Sequence, residues 1–354
     1  MSRFIQLHVL TSYPPSNLNR DDTGRPKTAL VGDANRLRVS SQSLKRAWRT
    51  SETFESAMAG HIGKRTKQIG IKRVFEPLVA GGIAEKQARE WAKEIAKQFG
   101  KLKSEKKTEN NEDLEIEQLA HFSPEELAAI DALVVQLIER KDKPKEDELK
   151  LLVHPRQAVD IAMFGRMLAD SPTHNVEAAV QVAHAITVHR AAVEDDYFSA
   201  VDDLNSRDVT GAGHIGERGY GAGLFYLYIA IDRELLKKNL GDDEALTARA
   251  LAALVAAVTK VAPTGMQNSF ASRAYAGFVL AEKGNQQPRS LAQAFLKPVK
   301  PHGEESLFDK AVSALETRCK NFDAVYGACA DDRRTVNVEK PEGSIADLIA
   351  FVAE

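Results

Sequence analysis

The sequence has 354 residues, 43% hydrophobic and 6% aromatic, with 48 Lys and Arg against 50 Asp and Glu and only 2 Cys. That balance excludes a disordered chain, a collagen-like repeat, a disulfide scaffold and a coiled coil, and leaves a globular protein. The length exceeds what one simple core fills, so a core enlarged by insertions is expected.

In chain order, Arg3 to Thr11 alternates apolar and polar residues and predicts a half-buried strand. SYPPSNLNRDDTGRPK follows, rich in Pro, Asn, Asp and Gly, and predicts an irregular loop carrying Arg20, Arg25 and Lys27. Arg36 to Val39 reads as a short strand, and Ser40 or Ser41 as the N-cap of a helix running to about Met58. From about 60 to 175 the pattern is mostly helical. Its clearest element is the helix opened by Ser123-Pro124-Glu125-Glu126 and continued by Leu127, Ile130, Val134 and Leu137. KLKSEKKTENNEDLEIEQ is charged and poor in apolar residues, and predicts a weakly ordered connection without a function. Strands are expected at 179–189, 223–232 and 274–282, and helices at 242–260, 289–297, 304–321 and 343–352. Between 191 and 222 an acidic stretch is followed by clustered glycines, which suits a long excursion with a flexible tip.

Charge is unevenly distributed. Residues 25–73 hold twelve Lys and Arg against three acids, whereas 104–150 hold fourteen acids against seven bases and 194–208 six acids against Arg207. A concentrated basic segment within a neutral protein is the footprint of a polyanion binder, or simply a solvated helix face. Within it, RLRVSSQSLKRAWR has no acid. A helix beginning at Ser40 or Ser41 sets Gln42, Lys45, Arg46 and Arg49 on one face, beside an apolar stripe of Leu44, Ala47 and Trp48. The helix start adds unpaired N–H groups and two Ser hydroxyls, an arrangement suited to phosphate.

Other patterns carry less. TGAGHIG at 210–216 matches the dinucleotide GxGxxG, but an acidic loop precedes it and no helix-forming sequence follows. His184 and His189 lack metal-ligand spacing, Cys319 and Cys329 lack a CxxC, and no nucleophile motif is present, so neither a cofactor nor a metal is expected. No run of about 20 apolar residues and no signal-peptide order at the start point to a cytoplasmic protein without membrane contact. Tyr197 and Phe198 lie in the acidic excursion, where aromatic rings either stack on bases or pin the excursion to the core.

FIQLHVLTSYPPSNLNRDD, RVSSQSLKRAWR, VDIAMFGRM, AHAITVH, YFSAVDDL and GHIGERGYGAGLFYLY, in this order and spacing, closely resemble the CasC family, the backbone subunit of the type I-E CRISPR complex Cascade. The resemblance implies an α+β fold: an RRM-like (ferredoxin-like) palm over 1–58 and 182–354, a helical fingers insertion over 59–181, and a thumb excursion over 191–222. It implies a non-catalytic scaffold, several copies of which stack along a CRISPR guide RNA, beside other Cascade subunits, and present the guide for pairing with target DNA. By motif, Arg20, Lys27, Ser40, Gln42, Lys45, Arg46 and Arg49 would hold RNA phosphates and sugars, and Met167 would pack near a base. Tyr197, Phe198 and Ser199 would form the thumb wedge that displaces a nucleotide, Tyr197 standing where the family often has Trp. Apart from the resemblance, the charge of the acidic 194–208 segment suggests that it docks against a neighbouring copy's basic surface, which charge reversal at Asp202 and Asp203 would test. The competing expectation is an RNA-processing endonuclease of the same superfamily, with His8 as the acid or base.

Overall fold

The structure is a computed structural model that describes residues 2–104, 109–200, 214–300 and 305–354. In chain order its main elements are β1 (Phe4–Ser16), β2 (Thr28–Val31), β3 (Ala34–Val39), α1 (Ser41–Arg49), α2 (Glu52–Ala57), β4 (Lys64–Thr66), α3 (Glu76–Ala80), α4 (Glu85–Ala96), β5 (Ala120–Phe122), α5 (Pro124–Arg140) and α6 (Val159–Phe164). They continue with β6 (Val180–Val182), β7 (Ala185–Thr187), β8 (Glu194–Ala200), β9 (His214–Asp232), α7 (Arg233–Asn239), α8 (Glu244–Lys260), α9 (Gln267–Phe270), β10 (Phe278–Gly284), α10 (Leu307–Tyr326), β11 (Asp332–Asn337) and α11 (Ile345–Ala353). Two compact units result, one of residues 1–54, 181–233 and 251–354, the other of 55–180 and 234–250. The stretch 234–250, expected within the palm, groups with the insertion, where Asn239 Nδ2 donates to the carbonyls of Ala162 and Glu177 at 3.1 and 2.8 Å.

The first unit is built on an antiparallel sheet of order β11-β10-β1-β9-β7-β3-β2. Its central strands β10-β1-β9-β7, with α1 following β1 and α8 following β9, reproduce the βαββαβ order of an RRM-like palm, so the fold is α+β. Alternation along the strands feeds two cores. On one face Thr11, Tyr13, Phe225 and Leu227 meet Leu44 and Trp48 of α1 and Val258 of α8. On the other, Leu10, Leu224, Tyr226, Phe278 and Leu280 are covered by Leu291, Phe295 and the Ala311, Val312 and Leu315 stripe of α10. An RRM leaves that second face open to stack bases; here it is closed.

Several elements depart from the sequence expectation for local reasons. β1 runs on through Pro14 and Pro15 to Ser16, and its register against β9 slips between Tyr13 and Ser16, where the prolines supply no N–H. Val31 pairs with Ala34 across Gly32 and Asp33, and Gly32 has φ +64°, so a two-residue turn creates the hairpin β2–β3 just after the expected loop, where only the strand from Arg36 was expected. The helix expected from Ser40 to Met58 is two helices, because the Ser51 hydroxyl accepts from Phe54 N at 3.2 Å and starts α2 anew.

The second unit packs Ile71, Val74, Phe75 and Leu78 against Trp91 and Ile95 of α4 and Leu127, Ile130 and Leu137 of α5. The α5 capping box is formed by Ser123 and Glu126. Glu126 is also the buried partner of Arg166, at 2.8 Å. The stretch 109–116, expected as a weakly ordered connection, delivers Leu114 and Ile116 to this core, while its buried Asp113 pairs with Arg89 at 2.6 Å and Lys93 at 3.1 Å. Residues 105–108 lie outside the described residues. Among the described residues no helix is long and apolar enough to cross a membrane.

Candidate nucleic-acid interface

The loop after β1 is ordered by two asparagines. Buried Asn17 donates from Nδ2 to the carbonyls of Gly24 and Gly219, at 3.0 and 2.9 Å, fixing the loop to the base of β9. The Asn19 carbonyl accepts from Lys27 N at 2.8 Å, and its side-chain oxygen accepts from Ser40 N at 2.9 Å. The Lys27 carbonyl in turn accepts from Arg38 N at 2.8 Å. Asn19, Lys27, Arg38 and the start of α1 are thereby tied together, and Asn19, Lys27 and Arg38 line one small depression with Leu18 and Pro26. Arg38 Nη1 lies 2.8 Å from His184 Nδ1. Partial burial, then the nearby charges of Arg38 and Lys27, lower the His184 pKa, so the ring is neutral and accepts from the guanidinium.

Ser40 is the N-cap of α1, its hydroxyl accepting from Ser43 N at 3.3 Å. Beyond it Gln42 and Arg46 are exposed, Lys45 is half-buried, and Arg49 is only 7% exposed. Arg49 therefore departs from the solvent-facing position expected of it: at the end of α1 it is drawn into the fold beside Trp48. No acid lies in the first turn of α1, so the helix itself places no carboxylate at its positive end. Arg20 is exposed and shares a second depression with Thr23, Arg25, Arg218 and Met266. Arg36, counted with the basic segment by sequence, is fully buried and donates to the carbonyls of Thr187 and Phe295, both at 2.9 Å.

β8 and the first residues of β9 form the described part of the thumb, with Tyr197 opposite Glu217, Phe198 opposite Gly216 and Ser199 opposite Ile215. Tyr197 is 68% exposed, Ser199 is exposed and Phe198 is half-buried. Arg25 pairs with Asp195 at 2.8 Å and joins the loop to the thumb. The glycine tip, Asp202 and Asp203 lie outside the described residues. His214 to Asp232 is one continuous strand, so the helix a dinucleotide fingerprint needs is replaced by β structure. Met167, in the second unit, is 78% exposed after the buried Arg166.

His8, the acid or base of the nuclease expectation, is 0% exposed at the centre of a buried network. Its Nε2 lies 3.0 Å from Glu282 and its Nδ1 2.9 Å from the Tyr226 hydroxyl, which also accepts from Leu291 N at 3.1 Å. Burial lowers the His8 pKa against the opposing pull of Glu282, so the neutral ring donates through Nε2 and accepts from Tyr226. Burial alone would raise Glu282, but hydrogen bonds from His8 and Arg289 hold its carboxyl far below the usual range. Arg289 reaches it at 2.5 and 3.0 Å and Arg333 at 2.7 Å.

Asn19 and Arg38 are not singled out by sequence, and His184 is weighed there only as a metal ligand. Arg36 and Arg38 lie in the same short strand, and nothing in RLRV tells the buried one from the rim one. Asn19 could have been found as a turn-forming residue in a loop that must present its neighbours in a fixed direction.

A protein family described as CT1975-like protein matches residues 5–350. Among solved structures, a chain described as "CRISPR RNA-guided surveillance complex, pre-nicking" superposes with a TM-score of 0.85 at 29% identity, covering 99% of both chains. A second, described as "CRISPR RNA-guided surveillance complex", has a TM-score of 0.75 at 26% identity, again over 99% of both chains. No curated protein matches the sequence.

Proposed function

We propose a function from one premise: the chain belongs to the CT1975-like protein family. This is the family of Cascade backbone subunits, and similar solved chains are parts of CRISPR RNA-guided surveillance complexes. The chain acts as a component of such a complex in antiviral defence. More finely, it is a non-catalytic scaffold of type I-E Cascade in the cytoplasm: several copies stack along one guide RNA, contact the other Cascade subunits, and leave base edges free to pair with target DNA.

One observation carries this reading. Arg20, Lys27, Arg38, Gln42 and Arg46 reach the surface around the Ser40 cap and the Asn19 lattice, with no acid in the first turn of α1. Such a band attracts a polyanion through its phosphates, without base contacts, which suits a scaffold that must accept any guide. The closed sheet face removes the usual RRM stacking platform and leaves loop, helix start and thumb as contact surfaces. Burial of His8 with both ring nitrogens engaged favours the scaffold over the nuclease.

Fluorescence anisotropy with unrelated single-stranded RNAs across a salt series tests the reading. Tight, length-dependent and sequence-tolerant binding is expected. Lys27→Glu with Arg46→Glu is expected to weaken it at least roughly a hundredfold and to flatten the salt slope by about 0.7 for each phosphate no longer neutralised. Unchanged binding in that variant places the RNA elsewhere, and shortening of a labelled precursor RNA by the wild type restores the nuclease.

A further inference from the structure

Helix α10 covers the sheet with one stripe and leaves another open. Ala311, Val312, Leu315 and Cys319 face the core, as the helical period requires. Arg318, Asn321, Phe322, Val325 and Tyr326 follow the spacing i, i+3, i+4, i+7 and i+8, and so share a second face. With Gln293 they line a groove of about 490 Å³. Phe322 is half-buried against the core, while Val325 and Tyr326 are 76% and 77% exposed. The Phe322 and Tyr326 rings are stacked, with centroids 5.8 Å apart, and the Arg289 guanidinium lies 5.8 Å from the Phe322 centroid. The charge of this groove is unmatched among the described residues. Arg318 has a buried Nε without a hydrogen-bond partner, and its Nη1 reaches the Gln293 side-chain oxygen at 3.4 Å. No carboxylate lines the groove, and the acids beneath it are engaged elsewhere, Asp323 with Arg333 and Glu282 with Arg289.

We infer that this face of α10 is a docking site for a segment of another protein, one that sets apolar side chains on Val325 and Tyr326 and a carboxylate against Arg318. Charge complementarity decides the occupant. A guanidinium with an unused Nε beside an aromatic shelf forms a charge-assisted pair with a carboxylate, and apolar contacts around that pair exclude water from it. Aromatic residues and Arg are also the types enriched at the centre of protein interfaces. A nucleic acid would be held by several cations in a row, and this groove has one. A two-fold pair of copies would lay the face on itself, and it holds no acid for either Arg318. The groove lies on the sheet face opposite α1 and α8. Docking there leaves the surface around Ser40 open, so this inference and the RNA-binding reading stand or fall separately.

The test pans a random dodecapeptide library, displayed on phage, against the full chain, with counter-selection on a Val325→Ser, Tyr326→Ser double variant. Both residues are exposed, so the variant is expected to keep the wild-type melting midpoint. Enriched peptides are expected to share a pair of large apolar residues and an Asp or Glu. The leading peptide is then synthesised with a fluorescent label, and Arg318→Glu is expected to weaken its binding roughly tenfold or more. Exchanging the acid of the peptide for Lys is expected to restore binding to Arg318→Glu and to lose it with the wild type, a reversal that general loss of fold would not give. No enrichment over the double variant, enriched peptides without an acid, or a charge exchange that restores nothing would each overturn the inference. So would RNA affinity that falls in Arg318→Glu, which hands the groove to nucleic acid, and self-association in sedimentation that the double variant abolishes, which hands it to a second copy.

Discussion

The first unit holds two arginine-rich regions with opposite fates. Around Glu282, Arg289 and Arg333 converge on one buried carboxylate, Arg333 is also held by Asp323 at 2.6 and 2.9 Å, and His8 closes the set. Around Ser40, Arg20, Gln42 and Arg46 reach solvent beside Lys27 and Arg38, where the nearest ordered partners are an asparagine, a neutral histidine and backbone. The same residue types serve architecture in one place and, in the function proposed above, a ligand in the other. What separates them is whether the protein supplies the anion.

That comparison is broken most forcefully at Glu282. Glu282→Gln leaves the largely buried Arg289 guanidinium facing a neutral amide, while Arg333 keeps Asp323, a change expected to cost about 3–5 kcal/mol of stability because the Arg289 charge loses its carboxylate. Urea denaturation measures it. A loss under about 1 kcal/mol would mean that the cluster does not hold the sheet together. RNA affinity of the folded fraction is expected to stay at the wild-type value, since the cluster lies under α10 and away from the loop and α1.

Acid probes the same cluster with smaller steps. His8 has a folded-state pKa below its ordinary 6.5, so below that pH the unfolded chain takes up a proton that the folded chain refuses, and stability falls as pH drops through 6.5. The depressed Glu282 carboxyl stabilises the fold above its ordinary 4.5 and withdraws that support as pH falls below it. Denaturation midpoints taken from pH 8 to 4 are expected to decline from about 6.5 downwards and to steepen below 4.5. In His8→Gln the upper part of the decline is expected to shrink to the share left by the partly buried His184, whose pKa is also lowered. A decline left undiminished would assign that limb to another histidine.

Much of the frame was legible because it is periodic. GLFYLYIAID, the Ala- and Leu-rich α8 and the Ser123 capping box announce themselves within a few residues, and the long family motifs place the palm, thumb and loop in order. What stayed hidden depends on partners far along the chain. His8 and Glu282 are 274 residues apart, so a buried pair could not be read from either. Strand β2 escaped notice because it is an edge strand with Leu30 exposed at 73%, which erases the alternation. Arg49 follows the same spacing as Gln42 and Arg46 yet turns inward, because the packing at the end of a helix, which spacing does not encode, decides its direction.

The finest distinction between architecture and ligand falls on Ser40, which stands at both. As a cap, its hydroxyl accepts from Ser43 N, while the hydroxyl hydrogen remains available to donate to a phosphate at the start of α1. Ser40→Ala removes both functions and is expected to cost about 1 kcal/mol of stability. Ser40→Asp separates them. An aspartate caps a helix as well as serine and suits its positive end, so stability is expected to return close to wild type. Its charge, however, occupies the place proposed for a phosphate, so RNA affinity in the anisotropy assay is expected to fall below that of Ser40→Ala. If Ser40→Asp instead binds RNA as wild type does, the start of α1 is architecture like the Glu282 cluster, and the phosphates run along Lys27, Arg38 and Arg46 without it.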